Sequence, residues 1–146
     1  MAMSGCNRKA IYSHYESMTV DGWGWGKTDT LFYYLESIAD SCDYTEEIGL
    51  RTTLAYPFTN FSMIVIQRVK PSGWERVDTM DFEIVSNDGH RNGQGMKFQN
   101  QTKVLRDITL TKGDSLTVCV IHNMRDDGIK GVVAVGVTVR QKDNAK

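Results

Sequence analysis

Apolar and polar positions alternate with a period of two through most of residues 29–140, and turn signals cut the chain into short runs. Residues 30–35 make a short aromatic-rich strand, and residues 44–53 a second strand around Gly49. Residues 61–69 are the most strand-like run, apolar at the centre and ended by Lys70-Pro71-Ser72-Gly73, a turn sequence. The partner strand follows at 75–85, with Val77, Met80, Phe82 and Ile84 as its candidate inward residues. A polar loop at 88–95 leads to a strand at 96–105, and Lys112-Gly113-Asp114 turns the chain into a strand at 115–122. The last strand, 132–139, is expected to place Val133, Val135, Val137 and Val139 on one face. Between 35 and 44, Leu35, Ile38 and Ala39 have helical spacing, but the segment is too short for a helix and reads as a crossing between sheets. The pattern predicts an all-β fold: an antiparallel β-sandwich, jelly-roll-like.

Composition narrows the function. The 146 residues suit one domain with a real core, at 40% hydrophobic and 24% charged. Net charge is −1, from 17 basic and 18 acidic residues, so the basic excess of a nucleic-acid binder is missing. No run approaches the roughly 18 apolar residues that span a bilayer, which leaves covalent or peripheral membrane attachment. The cysteines are Cys6, Cys42 and Cys119. No Cys-x-x-Cys pair supports a zinc site. If Cys6 is otherwise occupied, Cys42 and Cys119 are left as a pair; against a disulfide stands the place of Cys119 inside a strand, where a free thiol acts as a small apolar group.

Catalytic and metal chemistry find little support. His14, His90 and His122 lack ligand spacing, and no serine sits in a Gly-x-Ser-x-Gly elbow. The carboxylate candidates for glycoside hydrolysis, Glu46-Glu47, Asp78 with Asp81, and Asp126-Asp127, read as solvated surface charge. The loop Asn87-Asp88-Gly89-His90-Arg91-Asn92-Gly93 lacks the alternating acids and distal Glu of a calcium loop. Hence no catalytic residue, no metal site and no cofactor is expected. Aromatic side chains are the better lead. Trp23, Trp25 and Trp74, with Tyr56, Phe58 and His90, are the candidate contacts for a protein partner or a glycan, Trp25 having the further reading of a plug at the sandwich's open end.

Ser4-Gly5-Cys6 has the small-small-Cys form of a bacterial lipoprotein processing site, a reading that expects an apolar leader ahead of Ser4. Further motifs follow: Trp25-Gly26-Lys27-Thr28-Asp29-Thr30-Leu31, Ile48-Gly49-Leu50-Arg51, Tyr56-Pro57-Phe58 and Val77-Asp78-Thr79-Met80. Gly93-Gln94-Gly95, Gly113-Asp114-Ser115-Leu116 and His122-Asn123-Met124-Arg125 complete the order. By these residues and their spacing the chain resembles the GldH family of gliding-motility lipoproteins from Cys6 to about Val139; the Trp23-Gly24 pair departs from the pattern. The resemblance implies a lipid-anchored, non-enzymatic envelope protein associated with the gliding machinery, with lipid on Cys6 and no catalytic residues. It implies an N-terminus and tether over residues 1–20, a sandwich domain over 21–141 and a tail over 142–146. The partners expected are other envelope proteins and the membrane. Asn7-Arg8-Lys9 is basic rather than acidic, and predicts a periplasm-facing domain. The alternative reading is a carbohydrate-binding module that stacks sugars on exposed tryptophans.

Overall fold

The computed structural model describes residues 10–18, 24–91, 93, 95 and 98–142. These residues form ten strands: β1 (Ala10–Ser17), β2 (Trp25–Gly26), β3 (Leu31–Leu35), β4 (Cys42–Thr53), β5 (Asn60–Lys70), β6 (Trp74–Glu83), β7 (Phe98–Leu110), β8 (Ser115–His122), β9 (Gly128–Ile129) and β10 (Val132–Gln141). Sheet I runs β1-β10-β4-β7 and sheet II runs β3-β8-β5-β6. All pairings are antiparallel. Counting only the eight long strands in chain order, the sheets read 1-8-3-6 and 2-7-4-5, which is the jelly-roll winding. Among the described residues no helix forms, and so none is long and apolar enough to cross a membrane.

Alternation builds the core. Phe61, Met63, Val65 and Val69 of β5 point inward, against Ile48 and Leu50 of β4 and Val135, Val137 and Val139 of β10. Each such aliphatic or aromatic side chain contributes roughly 1.5–3 kcal/mol by leaving water. A strut ties the sheets together: the Tyr33 hydroxyl on β3 donates to the Val135 carbonyl at 2.6 Å. Burial drives the Tyr33 phenol well above its ordinary pKa, so the hydroxyl stays a donor.

Four expectations are corrected. Val77 points outward and is 60% exposed; Met80, Phe82 and Ile84 point inward, and Val77 has the opposite parity. In β10 a bulge between Val132 and Ala134 turns Val132 inward in place of Val133. β7 runs on to Leu110, beyond the expected end at 105, because a bulge opposite Glu46 and Glu47 breaks the alternation that would have marked it as one strand. Finally, Ala10–Ser17 lies in a segment read as tether, yet it is a full strand paired to β10.

Strand β1 escapes a hydrophobic reading because it is an edge held by its ladder and by one ring. Tyr15 lies across the glycines of its two neighbours, pairing with Gly136, which pairs in turn with Gly49. A Cβ on Gly136 would come within 2.4 Å of the Tyr15 ring, and one on Gly49 within 2.0 Å of its hydroxyl. Arg51 covers the same ring at 5.7 Å. Gly136→Ala should therefore expel Tyr15 and loosen β1, at a cost of about 1–3 kcal/mol. Amide exchange along β1 is the measurement. Protection equal to wild type would show that Tyr15 is not the clamp.

Cys42 and Cys119 are free thiols. Cys119 sits on the outer face of sheet II, while Cys42 lies in sheet I, so a bridge would have to pass through the core.

The sandwich has two ends. A turn pole gathers the start of β1, the end of β10, the crossing at 36–41 and the turns at 70–73 and 111–114. A loop pole gathers the ribbon β2–β9 and the loops at 53–59, 86–91 and 123–127. Strand β5, 11 residues long, connects them, which at ~3.3 Å per residue puts the poles roughly 33 Å apart.

Candidate functional site

The aromatic candidates divide between the poles. Trp25, Tyr56, Phe58 and His90 lie at the loop pole, and Trp74 lies at the turn pole. Trp23 and Cys6 fall outside the described residues. Trp25 is only 1% exposed, with its ring 5.6 Å from Phe61 and 5.6 Å from His122. Its Nε1–H donates to the Asp29 carbonyl at 2.8 Å. It is the plug, and the contact role is withdrawn for it. Tyr56 is buried as well: its ring meets Phe58 and Phe61 edge-on, and its hydroxyl donates to the Asn60 carbonyl at 2.8 Å. Phe58 is half-buried on the rim. His90 is exposed and pairs with Asp88 at 3.0 Å, and hydrogen bonds from the Ser86 hydroxyl first and from His90 second hold the Asp88 carboxyl below its usual range. The tryptophans thus form no shared stacking platform among the described residues.

His122 is buried rather than superficial, and it caps the end of β8. Its Nδ1 accepts from the Met124 N–H at 3.2 Å and its Nε2 lies 3.1 Å from the Asp127 carbonyl, which fits the tautomer protonated at Nε2. Among the described residues, no group of three or more His, Cys, Asp or Glu is placed to hold a metal ion.

A polar cluster lies inside the sandwich and corrects the reading of Glu46 as solvated surface charge, since Glu46 faces the core from β4. The bulge in the β4–β7 ladder turns Arg106 inward beside Glu46. Gln67 Nε2–H donates to Glu46 Oε1 at 2.7 Å, while Asp78 pairs with Arg76 at 3.2 Å and with Arg106 at 3.6 Å. The Arg106 guanidinium lies 5.8 Å from the Trp74 ring, and both line a cleft of about 370 Å³ at the turn pole with Ile108 and Asp114. Burial pushes the Glu46 carboxyl up to about 7, against the opposing pull of the Gln67 amide and Arg106. Glu46 Oε2 and Gln67 Oε1, both acceptors, have no hydrogen-bond partner among the described residues. A proton on Glu46 gives this pair the donor it lacks. Glu46 is sealed in the core at 1% exposure, out of a substrate's reach, and the cluster reads as a structural one.

The outer faces of the two sheets differ. Sheet I is laced with polar pairs: Ser13 with Thr138, Arg51 with Asn100, Asp43 with Thr109 and Glu47 with Arg140. On sheet II the register puts Phe32 beside Cys119, Cys119 beside Ile66 and Ile66 beside Val77, one apolar row across all four strands. Phe32 is 63% exposed and Val77 60%. Tyr34, Ile64 and Ile121 border the row, and Arg68 with Glu75 closes one corner through an ion pair of 3.0 Å. Single exposed apolar residues are ordinary, whereas a contiguous row marks a surface for another molecule.

The model of the GldH lipoprotein family matches residues 10–139. The chain belongs to the GldH lipoprotein family. The gliding motility lipoprotein GldH of Flavobacterium johnsoniae is 26% identical over 145 residues, covering 94% of this chain and 89% of the relative. A gliding motility lipoprotein GldH homolog of Christiangramia forsetii is 23% identical over 151 residues, covering 97% and 90%. Among solved structures, the Podospora anserina GH26-CBM35 β-(1,4)-mannanase is similar with a TM-score of 0.50 at 12% identity, over 96% of this chain and 27% of that one. That last likeness is one of fold.

Most of the motifs that carry the GldH resemblance have structural work in this chain. Trp25 plugs an end, Gly49 lies beneath Tyr15, and Tyr56 packs under Gly131, whose φ of +94° leaves no room for a side chain. Asp114 Oδ2 accepts the Thr111 N–H at 2.9 Å to close its turn. The GldH motifs define a jelly roll.

Proposed function

We propose that this chain is a non-catalytic, lipid-anchored envelope protein that assembles or stabilises a complex of the gliding machinery. In this reading Cys6 carries the lipid, the domain faces the periplasm, and sheet II docks on another envelope protein. The apolar row Phe32–Cys119–Ile66–Val77 is the observation that carries it. The outer face of sheet I is mostly polar, with Val104 and Tyr15 as its exposed apolar side chains but, among the described residues, no apolar row across its strands, and the contrast favours sheet II as the docking side. Membership of a lipoprotein family supports the anchor, and the names of the two relatives support the association with gliding motility.

A photo-cross-linking side chain at Thr79, bordering the row, should trap one discrete envelope protein in native cells. A probe at Thr102, on the outer face of sheet I, should not. Phe32→Ser combined with Val77→Ser should abolish the Thr79 adduct while shifting stability by less than about 1 kcal/mol, since both residues are exposed. Equal adducts from both faces, or adducts that survive the double substitution, would rule out sheet II as the docking side.

A further inference from the structure

We infer that the turn pole rests on the membrane surface, so that the strands stand along the bilayer normal and the loop pole faces away. This orientation rests on Cys6 being the lipidated residue. Strand β1 begins at Ala10, four residues after Cys6. Four residues reach at most ~14 Å even when fully extended. A lipid on Cys6 therefore holds the start of β1 within about that distance of the acyl chains, about half of which the headgroup layer takes up. A long tether would permit any orientation. This one is too short for the domain to stand on its loop pole, because the poles are roughly 33 Å apart; the blunt, Trp74-bearing end favours the upright pose over one lying along the β1 edge.

The turn pole fits a lipid surface in shape and chemistry. The starts of β1 and β8, the ends of β5 and β10 and the turns at 70–73 and 111–114 form one blunt end. Trp74 stands there, 37% exposed, with its ring against Arg106, an amphipathic side chain of the kind that settles at headgroup level. Among the described residues of its turns, exposed Lys70 and Lys112 are outnumbered by exposed Glu36, Asp40 and Asp43, so these turns offer no basic excess to anionic lipid. The lipid does the holding and the short tether does the orienting. Upright strands present the apolar row of sheet II sideways, toward proteins in the same leaflet.

The test uses the full lipidated protein in phosphatidylcholine vesicles that carry brominated lipid, with Cys42→Ser and Cys119→Ser. A fluorophore is attached through Lys112→Cys at the turn pole or through Lys130→Cys at the loop pole, both exposed positions. Quenching should be several-fold stronger from 112 than from 130. A flexible insert of about 36 residues between Lys9 and Ala10, with an r.m.s. reach of roughly the domain's length, should erase the difference. Equal or reversed quenching in membrane-bound protein with the native tether overturns the orientation and leaves lipidation intact. Cys6→Ser separates the other failure: if that variant binds the vesicles as fully as wild type, the anchor reading falls and the orientation with it.

Discussion

Replacing Trp25 by Ala should lower the unfolding free energy by about 3–5 kcal/mol, a large part of the stability of a domain this size. The indole fills the loop pole between Phe61 and His122, and the two-residue ribbon β2–β9 exists only at that place. Removing the ring opens a cavity lined by core residues, leaves the Asp29 carbonyl without its donor and takes away the edge that His122 packs against. Gly24 then loses its reason to sit at φ +76°, where a Cβ would meet the Ile129 carbonyl oxygen at 2.2 Å. Trp25→Phe should keep the aromatic contacts and lose the hydrogen bond, costing about 1–2 kcal/mol. Urea denaturation of the two variants is the measurement. A loss under about 1 kcal/mol for Trp25→Ala would mean that the plug contributes little and that the indole is free for other work.

Glu46→Gln should stabilise the protein at pH 8, by as much as about 3 kcal/mol, and leave it nearly unchanged at pH 4.5. The unfolded carboxyl titrates near 4.5, whereas burial beside Gln67 moves the folded one to about 7. Between those values the folded state holds more protons than the unfolded state, so this group's contribution is complete below the window and is lost as pH rises through 7. A Gln at 46 offers an amide donor to the Gln67 carbonyl oxygen at every pH. The difference between variant and wild type should therefore open between pH 4.5 and 7.5, then level off. A difference flat across that range would show that Arg106 keeps Glu46 ionised throughout.

How far each feature can be read from the chain follows from the range of the interactions behind it. Strands β5, β8 and β10 announce themselves because apolar alternation and turn residues act within a few neighbours. The same short-range signals order the seven long strands after β1 well enough to suggest a jelly roll. Strand β1 carries no such mark, since Tyr15 meets its glycines from positions more than thirty residues away in the chain. Bulges hide equally well. One extra residue near Leu105 turns Arg106 into the core, and no local pattern in 98–110 predicts it. Of the candidate contacts, Trp25 and Tyr56 are buried, while His90 and Trp74 stand exposed on opposite poles. Glycine-flanked aromatics look alike in sequence whether they seal an end or line a surface.

The order of residues was enough for the all-β class, the jelly-roll-like sandwich, the near-neutral net charge and the family, because alternation, turn chemistry and charge are properties of neighbours and of totals. Pairing had to be seen for the rest. Register alone sets Phe32, Cys119, Ile66 and Val77 side by side on one face, though they come from four separate strands. Register alone shows that Ala10–Ser17, read from the chain as tether, is a strand captured by the ladder to β10. A side chain's exposure and a tether's free length depend on contacts made across the fold, which the linear pattern does not record.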